Sequence, residues 1–264
     1  MPKFPDLPTY AAAIAPVIDA VHVNVHASAR RVREELDGVS DVSPGFLNDL
    51  RFTLPLRPLT RDALATVYRY GSAAEREAAI QDHLEQGILA DDGEGLLRVT
   101  DRGLAVIHRL YRVHAAAVQR IWPGHDVPAL AALAGRVLDR AQRDRPGPDR
   151  PGPDRPGPDQ PGRARPADEP GSAFALVAPP YEPQDAPAGV LLFNRLAALR
   201  YHRADAHAAA WREAGLSVAE IVALKPGPAR ERIETGTNRR AAQPYRTLTD
   251  SERDHFYGGL LHLM

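Results

Sequence analysis

The sequence predicts a mainly α-helical chain that carries one small β-hairpin and is divided by a Pro/Gly-rich linker. Three observations lead there. Apolar residues recur at three- and four-residue steps through most of the chain, the spacing of amphipathic helices. The acidic, glycine-rich run Asp91-Asp92-Gly93-Glu94-Gly95 sits between two brief apolar stretches, as in a tight hairpin. The segment Arg145-Pro-Gly-Pro-Asp149 recurs at 150–154 and 155–159, and a decayed copy begins at Gln160. A short period with two prolines and a glycine sustains neither helix nor sheet, and its few apolar groups cannot offset the entropy of ordering. It is expected to be a disordered spacer.

The elements follow in order. Ile14, Val17, Ile18, Val21 and Val25 mark a helix from Thr9 to Glu35, broken at Asp37-Gly38, where Gly suits a C-cap. The stretch 41–58, punctuated by Pro44, Pro55 and Pro58, reads as a connector anchored by Phe46, Leu47, Leu50, Phe52 and Leu54. Thr60 can cap a helix ending at Gly71. Ser72 can cap the next, with Glu75 placed as capping-box partner, through Gln86. Ile88-Leu89 and Leu96–Val99 are the hairpin strands. Thr100 or Asp101 then opens a long helix with Leu104, Ile107, Leu110, Tyr111 and Val118 inward, stopped at Trp122-Pro123-Gly124. Another helix spans about 127–143. Beyond the repeat, Phe174–Val177 is an apolar anchor, and a long helix covers about 190–214, closed by Gly215. Ser217 begins a shorter helix, Pro228 opens a third, and Thr249 with Glu252 has capping-box spacing for a last one. The expected organisation is a helical unit at 1–144, a linker at 145–173 and a helical unit at 174–264 that packs on the first.

Composition bounds the chemistry. The chain has 264 residues, 44% hydrophobic and 25% charged, with a net charge of −1. No whole-chain field selects nucleic acid or membrane. With no cysteine, disulfides, thiolate nucleophiles and Cys-based zinc sites are excluded. The N-terminal residues lack a basic-then-apolar secretion signal, and no apolar run reaches the length of a membrane span. A cytoplasmic protein without membrane partners is expected. Lys3 and Lys225 are its only lysines; with abundant Ala and Pro, this usage suggests a GC-rich, actinobacterial coding sequence.

Helix, turn, helix, two-stranded wing and long helix is the order of a winged helix-turn-helix. In Gln86-Gly87-Ile88-Leu89, the acidic hairpin tip and Val99-Thr100-Asp101-Arg102-Gly103, residues 58–122 resemble MarR-like regulators. That resemblance implies a DNA-binding transcriptional regulator, homodimeric through the helix from Thr100 to Trp122. The stretches Arg203–Trp211, Ala214-Gly215-Leu216-Ser217 and Glu234–Asn238 resemble poorly characterised actinobacterial helix-turn-helix proteins. There an Asp-Ala-His helix precedes a winged helix; here it follows one, and no second wing is visible.

Charge qualifies the DNA reading. Residues 56–100 hold eight acids against five arginines, and the candidate recognition helix carries Glu75, Glu77, Asp82 and Glu85 against Arg76. Since phosphate neutralisation supplies most non-specific affinity, that surface should repel a duplex. Phosphate contacts to double-stranded DNA would fall to Arg57, Arg61, Arg69 and Arg98, and to Arg230, Arg232, Arg239 and Arg240 of the net-positive C-terminal region. Two other readings stand beside it: a winged-helix module that binds protein, and a helical small-molecule-binding protein or enzyme centred on Asp205 and His207. For the last, the alanines around Asp205 and His207 allow close packing, so both would be buried and need partners among Arg200, Arg203, Thr237 and Asn238. No catalytic residue set and no cofactor fingerprint stands out. His22 and His26, four apart on a helix, could chelate a metal, but no third ligand is evident and no metal site is expected.

Overall fold

The computed structural model describes residues 3–37, 47–144 and 171–264. The repeat at 145–159, most of the expected linker and the break at Gly38 lie outside these residues.

The first helix, α1 (Leu7–Asp37), runs two residues beyond each end of the span read from its apolar spacing. Its stripe of Ile14, Val17, Ile18, Val21 and Val25 is buried. A short helix, α2 (Leu47–Leu50), and a run of turns through Leu56 replace the expected bare connector. Leu47, Leu50, Phe52 and Leu54 are all buried there.

Strand β1 (Leu59–Thr60) leads into α3 (Arg61–Val67), whose cap is Thr60: its Oγ1 accepts from Ala63 N at 3.0 Å. Ser72 caps α4 (Ala73–Glu85), accepting from Glu75 N at 3.4 Å. The Glu75 side chain stays exposed, so among the described residues only half of the expected capping box forms. Strands β2 (Leu89–Asp91) and β3 (Leu96–Val99) form the hairpin. The sheet nevertheless has three strands, not two. β1 pairs antiparallel with β3 on the side away from β2, in register Leu59↔Leu97 and Thr60↔Leu96. A two-residue strand has no alternation of its own to read; the exposed edge of β3 recruits it.

Helix α5 (Asp101–Ile121) starts at Thr100, whose Oγ1 accepts from Gly103 N and donates to Gly87 O at 2.6 Å, tying the helix to the end of α4. Gly103 lies against the hairpin: a Cβ there would sit 2.3 Å from Ile88 O and 2.6 Å from Val99 Cγ2. Only glycine permits this approach. The apolar side of α5 packs on α1, where Val113 and Ala117 meet Ala29 and Val32. Helix α6 (Val127–Arg143) follows, capped by Asp126.

The chain is helical again by Ala173, inside the expected linker: Ser172 caps α7 (Ala173–Val177). Helix α8 (Ala188–Glu213) is the hub, packing against α1, α5, α6, α7 and, through its alanine stripe, α10 (Pro228–Ala241). Between the last two lies α9 (Val218–Ala223), opened by a full capping box of Ser217 and Glu220. A 3-10 turn at Gln243–Thr247 and α11 (Asp250–His262), with the expected Thr249/Glu252 box, complete the fold. Most of the described chain is helix, with strand confined to the small antiparallel sheet. No helix among the described residues is long and apolar enough to cross a membrane.

Candidate functional site

Two polar assemblies adjoin α8. The first is an open cleft of about 300 Å³ between α1, the α3–α4 turn, α8 and α10. Its apolar floor comes from Ala11, Ala15, Ile18, Leu199 and Ala241, and its polar rim from Tyr70, Arg200, Arg203, His207, Arg230 and Glu234. Arg203 donates to Asn238 Oδ1 at 2.8 Å and to Glu234 at 3.1 Å. Arg200 is paired with Asp19 at 2.6 Å. His207 Nδ1 lies 2.9 Å from the Tyr70 hydroxyl, which also accepts from Trp211 Nε1 at 3.2 Å. Burial, opposed by Glu234, holds the His207 imidazole below its ordinary value. Thr237 is fully buried and donates to Ile233 O at 2.8 Å.

Asp205 does not share that cleft. Its carboxylate faces the other way and accepts from Ser172 Oγ at 2.6 Å, Ala173 N at 3.1 Å, Phe174 N at 2.9 Å and the buried guanidinium of Arg69. The expected partners Arg200, Arg203, Thr237 and Asn238 are not the ones it takes; its donors come from the α3–α4 turn and the start of α7. Asp205 is a clamp joining the α3–α4 turn, α7 and α8. Of the residues expected to act together, the structure gathers Arg203, His207, Thr237 and Asn238 and sets Asp205 apart.

The eight arginines expected at a DNA face are scattered. Arg57 donates to Pro179 O at 3.1 Å. Arg61 is paired with Asp91 at 2.7 Å and Glu77 at 3.4 Å, and Arg98 with Asp92 at 3.4 Å. Arg69 is buried against Asp205. Arg230 rims the cleft, Arg232 and Arg239 border a separate groove between α8 and α10, and Arg240 is paired with Glu213. On α4, Glu75, Glu77, Asp82 and Glu85 are exposed together.

The second assembly is internal, and of its members only the His22/His26 pair stands out in the sequence. The rings of His22, His26 and His114 and the guanidinium of Arg51 surround Phe193, with centroid or Cζ separations of 4.8, 5.3, 5.0 and 4.6 Å. Arg51 is fully buried and donates to Asn194 Oδ1 at 3.1 Å and to Asn48 O. Asn194 in turn donates to the Tyr111 hydroxyl at 3.0 Å. Arg51 Nε, His22 Nδ1 and His114 Nε2 are buried without a hydrogen-bond partner among the described residues. Burial is the main cause that keeps all three imidazoles neutral: His22 and His114 lie far below the ordinary value, and His26 is pulled down to about 4. Arg51, set among the apolar anchors Leu47, Leu50, Phe52 and Leu54, is the further sequence signal, since a charge there must find an interior partner or face out.

Comparison with family models, with curated proteins and with solved structures found no match.

Proposed function

We propose that the protein binds a small carboxylate with an apolar body in the cleft, and that occupancy there acts on the α3–α4 turn. The observation that carries this reading is Tyr70. It belongs to that turn, yet its hydroxyl is bonded to His207 and Trp211 of α8 at the cleft rim. A ligand that displaces or accepts from this hydroxyl couples the two halves of the molecule. The rim sets Arg200, Arg203 and Arg230 against Asp19 and Glu234, an excess of one positive charge with His207 neutral, over a floor of alanine, leucine and isoleucine. That combination, apolar walls with a few placed polar groups, is usual for small-molecule sites. Trp211 is a built-in reporter. Titration with alkyl and aryl carboxylates should change its fluorescence saturably and raise the melting temperature, and Arg230→Gln should weaken both responses. If no carboxylate in the series moves either signal, the reading fails.

Duplex binding is the second reading, favoured by the order β1, α3, α4, β2, β3, α5 and the pairing of β1 with β3, which suit a winged helix. The acidic outer face of α4 and the pairing of Arg61, Arg69 and Arg98 oppose it. Anisotropy titrations against random duplex at two salt concentrations decide. Binding that steepens at low salt and strengthens in Glu75→Gln/Glu77→Gln/Asp82→Asn supports it; no binding at low salt removes it.

A further inference from the structure

The geometry points to a divalent transition-metal site inside the molecule, with His22 Nε2, His26 Nε2 and an Asp49 carboxylate oxygen as its three protein ligands. The reading is independent of the cleft.

The two histidines stand one helical turn apart on α1, and their Nε2 atoms face each other at 3.0 Å. Two nitrogens bound to one tetrahedral ion stand roughly 3.3 Å apart, given metal–nitrogen bonds of about 2.0–2.1 Å. Asp49 reaches the pair from α2, and one potential ligand atom from each of the three residues lies within 4.8 Å of the others. A small movement of the half-buried Asp49 side chain closes that span around one ion. Its other contact, a 3.3 Å hydrogen bond from the Tyr68 hydroxyl, would orient the carboxylate, as outer-shell partners of metal ligands do.

His114 walls the site without joining its ligand set. His114 packs edge-on to His26 at 5.5 Å, and its Nδ1 lies 2.7 Å from Leu110 O. A hydrogen bond donated there fixes the tautomer and leaves a lone pair on Nε2, which is buried without a donor among the described residues.

The donor set selects the ion. One carboxylate and two imidazoles give too few oxygens for calcium or magnesium, whereas zinc and its neighbours favour this mixture. Buried Arg51 also faces the cluster, and Arg200 acts on it from its pair with Asp19. An ion held by charge alone would be repelled, while one held by nitrogen coordination tolerates those neighbours. Three protein ligands leave a coordination position open, which a small anion would fill.

Without a metal, the 3.0 Å contact is a hydrogen bond between two neutral imidazoles, and the experiment separates the alternatives. Full-length protein, tag removed and stripped with chelator, is titrated with Co(II) by visible absorption and with Zn(II) by calorimetry. The expected result is one equivalent bound. His26→Gln and Asp49→Asn should each weaken it by about tenfold or more while the far-ultraviolet dichroism stays native. His255→Gln, on the exposed face of α11, should leave it unchanged. The wild-type protein decides even if a ligand variant fails to fold: Co(II) must shift the imidazole resonances of His22 and His26, not those of His125, His255 and His262. No uptake by the folded apoprotein, or uptake lost only in His255→Gln, overturns the proposal.

Discussion

At the scale of single residues, the molecule concentrates its interior charge at two arginines that are handled differently. Arg69 has a carboxylate, Asp205, which also accepts two backbone N–H groups at the start of α7 and the Ser172 hydroxyl. Arg51 has no carboxylate within ion-pair distance among the described residues and leans on Asn194, Asn48 O and the Phe193 ring. Removing one member of a buried pair leaves the other charge uncompensated. Asp205→Ala should therefore cost about 3 kcal/mol, while Arg69→Met/Asp205→Ala together should cost less than the sum of the two single changes. Chemical denaturation of the four proteins measures the cycle, and strict additivity would show that the pair is not coupled. The His207 carried in the same Asp-Ala-His run turns toward the cleft. Residues two apart on a helix do not face each other, and so the run splits between a clamp and a rim.

Elements were legible where the signal is local. Thr60, Ser72, Thr100, Ser217 and Thr249 each cap a helix as their sequence positions indicate, because a cap is chemistry within three or four residues. Gly103 likewise marks the junction of hairpin and long helix, and the clash a Cβ would make with Ile88 O gives the reason. What escaped was whatever depends on a distant partner. β1 exists only through Leu96 and Leu97, and α2 through the core over which Leu47 and Leu50 close. The meeting of Asp49 with His22 and His26 needs the folded positions of two elements. The Thr249/Glu252 box offers a test by pH. Arg136, together with Thr249 N at 2.8 Å, holds the Glu252 carboxyl down at about 2. In the unfolded chain a glutamate titrates near 4.3. Between those values the unfolded state binds the proton first, so the stabilisation is present in full above about 4.3 and is lost as pH falls through about 2. Glu252→Gln should flatten the acid limb of a stability–pH curve over that window and leave the neutral-pH slope alone. An unchanged acid limb would mean that the carboxylate is not held in solution.

For the whole molecule, the question is whether the segments before and after the repeat are separable units. Sequence suggested two helical halves, with the second leaning on the first because its apolar residues had too little cover. The contacts explain why. Leu192, Phe193 and Leu196 of α8 are fully buried within one continuous core that includes Val21, Leu110, Leu130 and Val137 from the earlier part. Polar ties cross the same boundary. Arg195 donates to Ala131 O at 2.9 Å, Trp122 Nε1 to Leu263 O at 3.1 Å, and Asn24 to Met264 O at 2.6 Å. Divided at the repeat, each part would expose a large apolar surface and leave buried donors unpaired, penalties that exceed the margin by which a small domain is stable. Residues 171–264 expressed alone should show no sharp thermal transition and should expose Trp211 to quenchers. Residues 1–144 alone should expose Trp122 in the same way. Mixing the two fragments should restore a single cooperative melt and both shielded tryptophans, since the core contacts of α8 with α1, α5 and α6 all lie within the two fragments. Two independent sharp melts, unchanged on mixing, would establish separate domains and require the contacts of α8 with α1, α5 and α6 to be weak. A restored melt would leave the cleft and the His22–His26–Asp49 cluster, both walled from each side of the cut, as properties of the assembled fold.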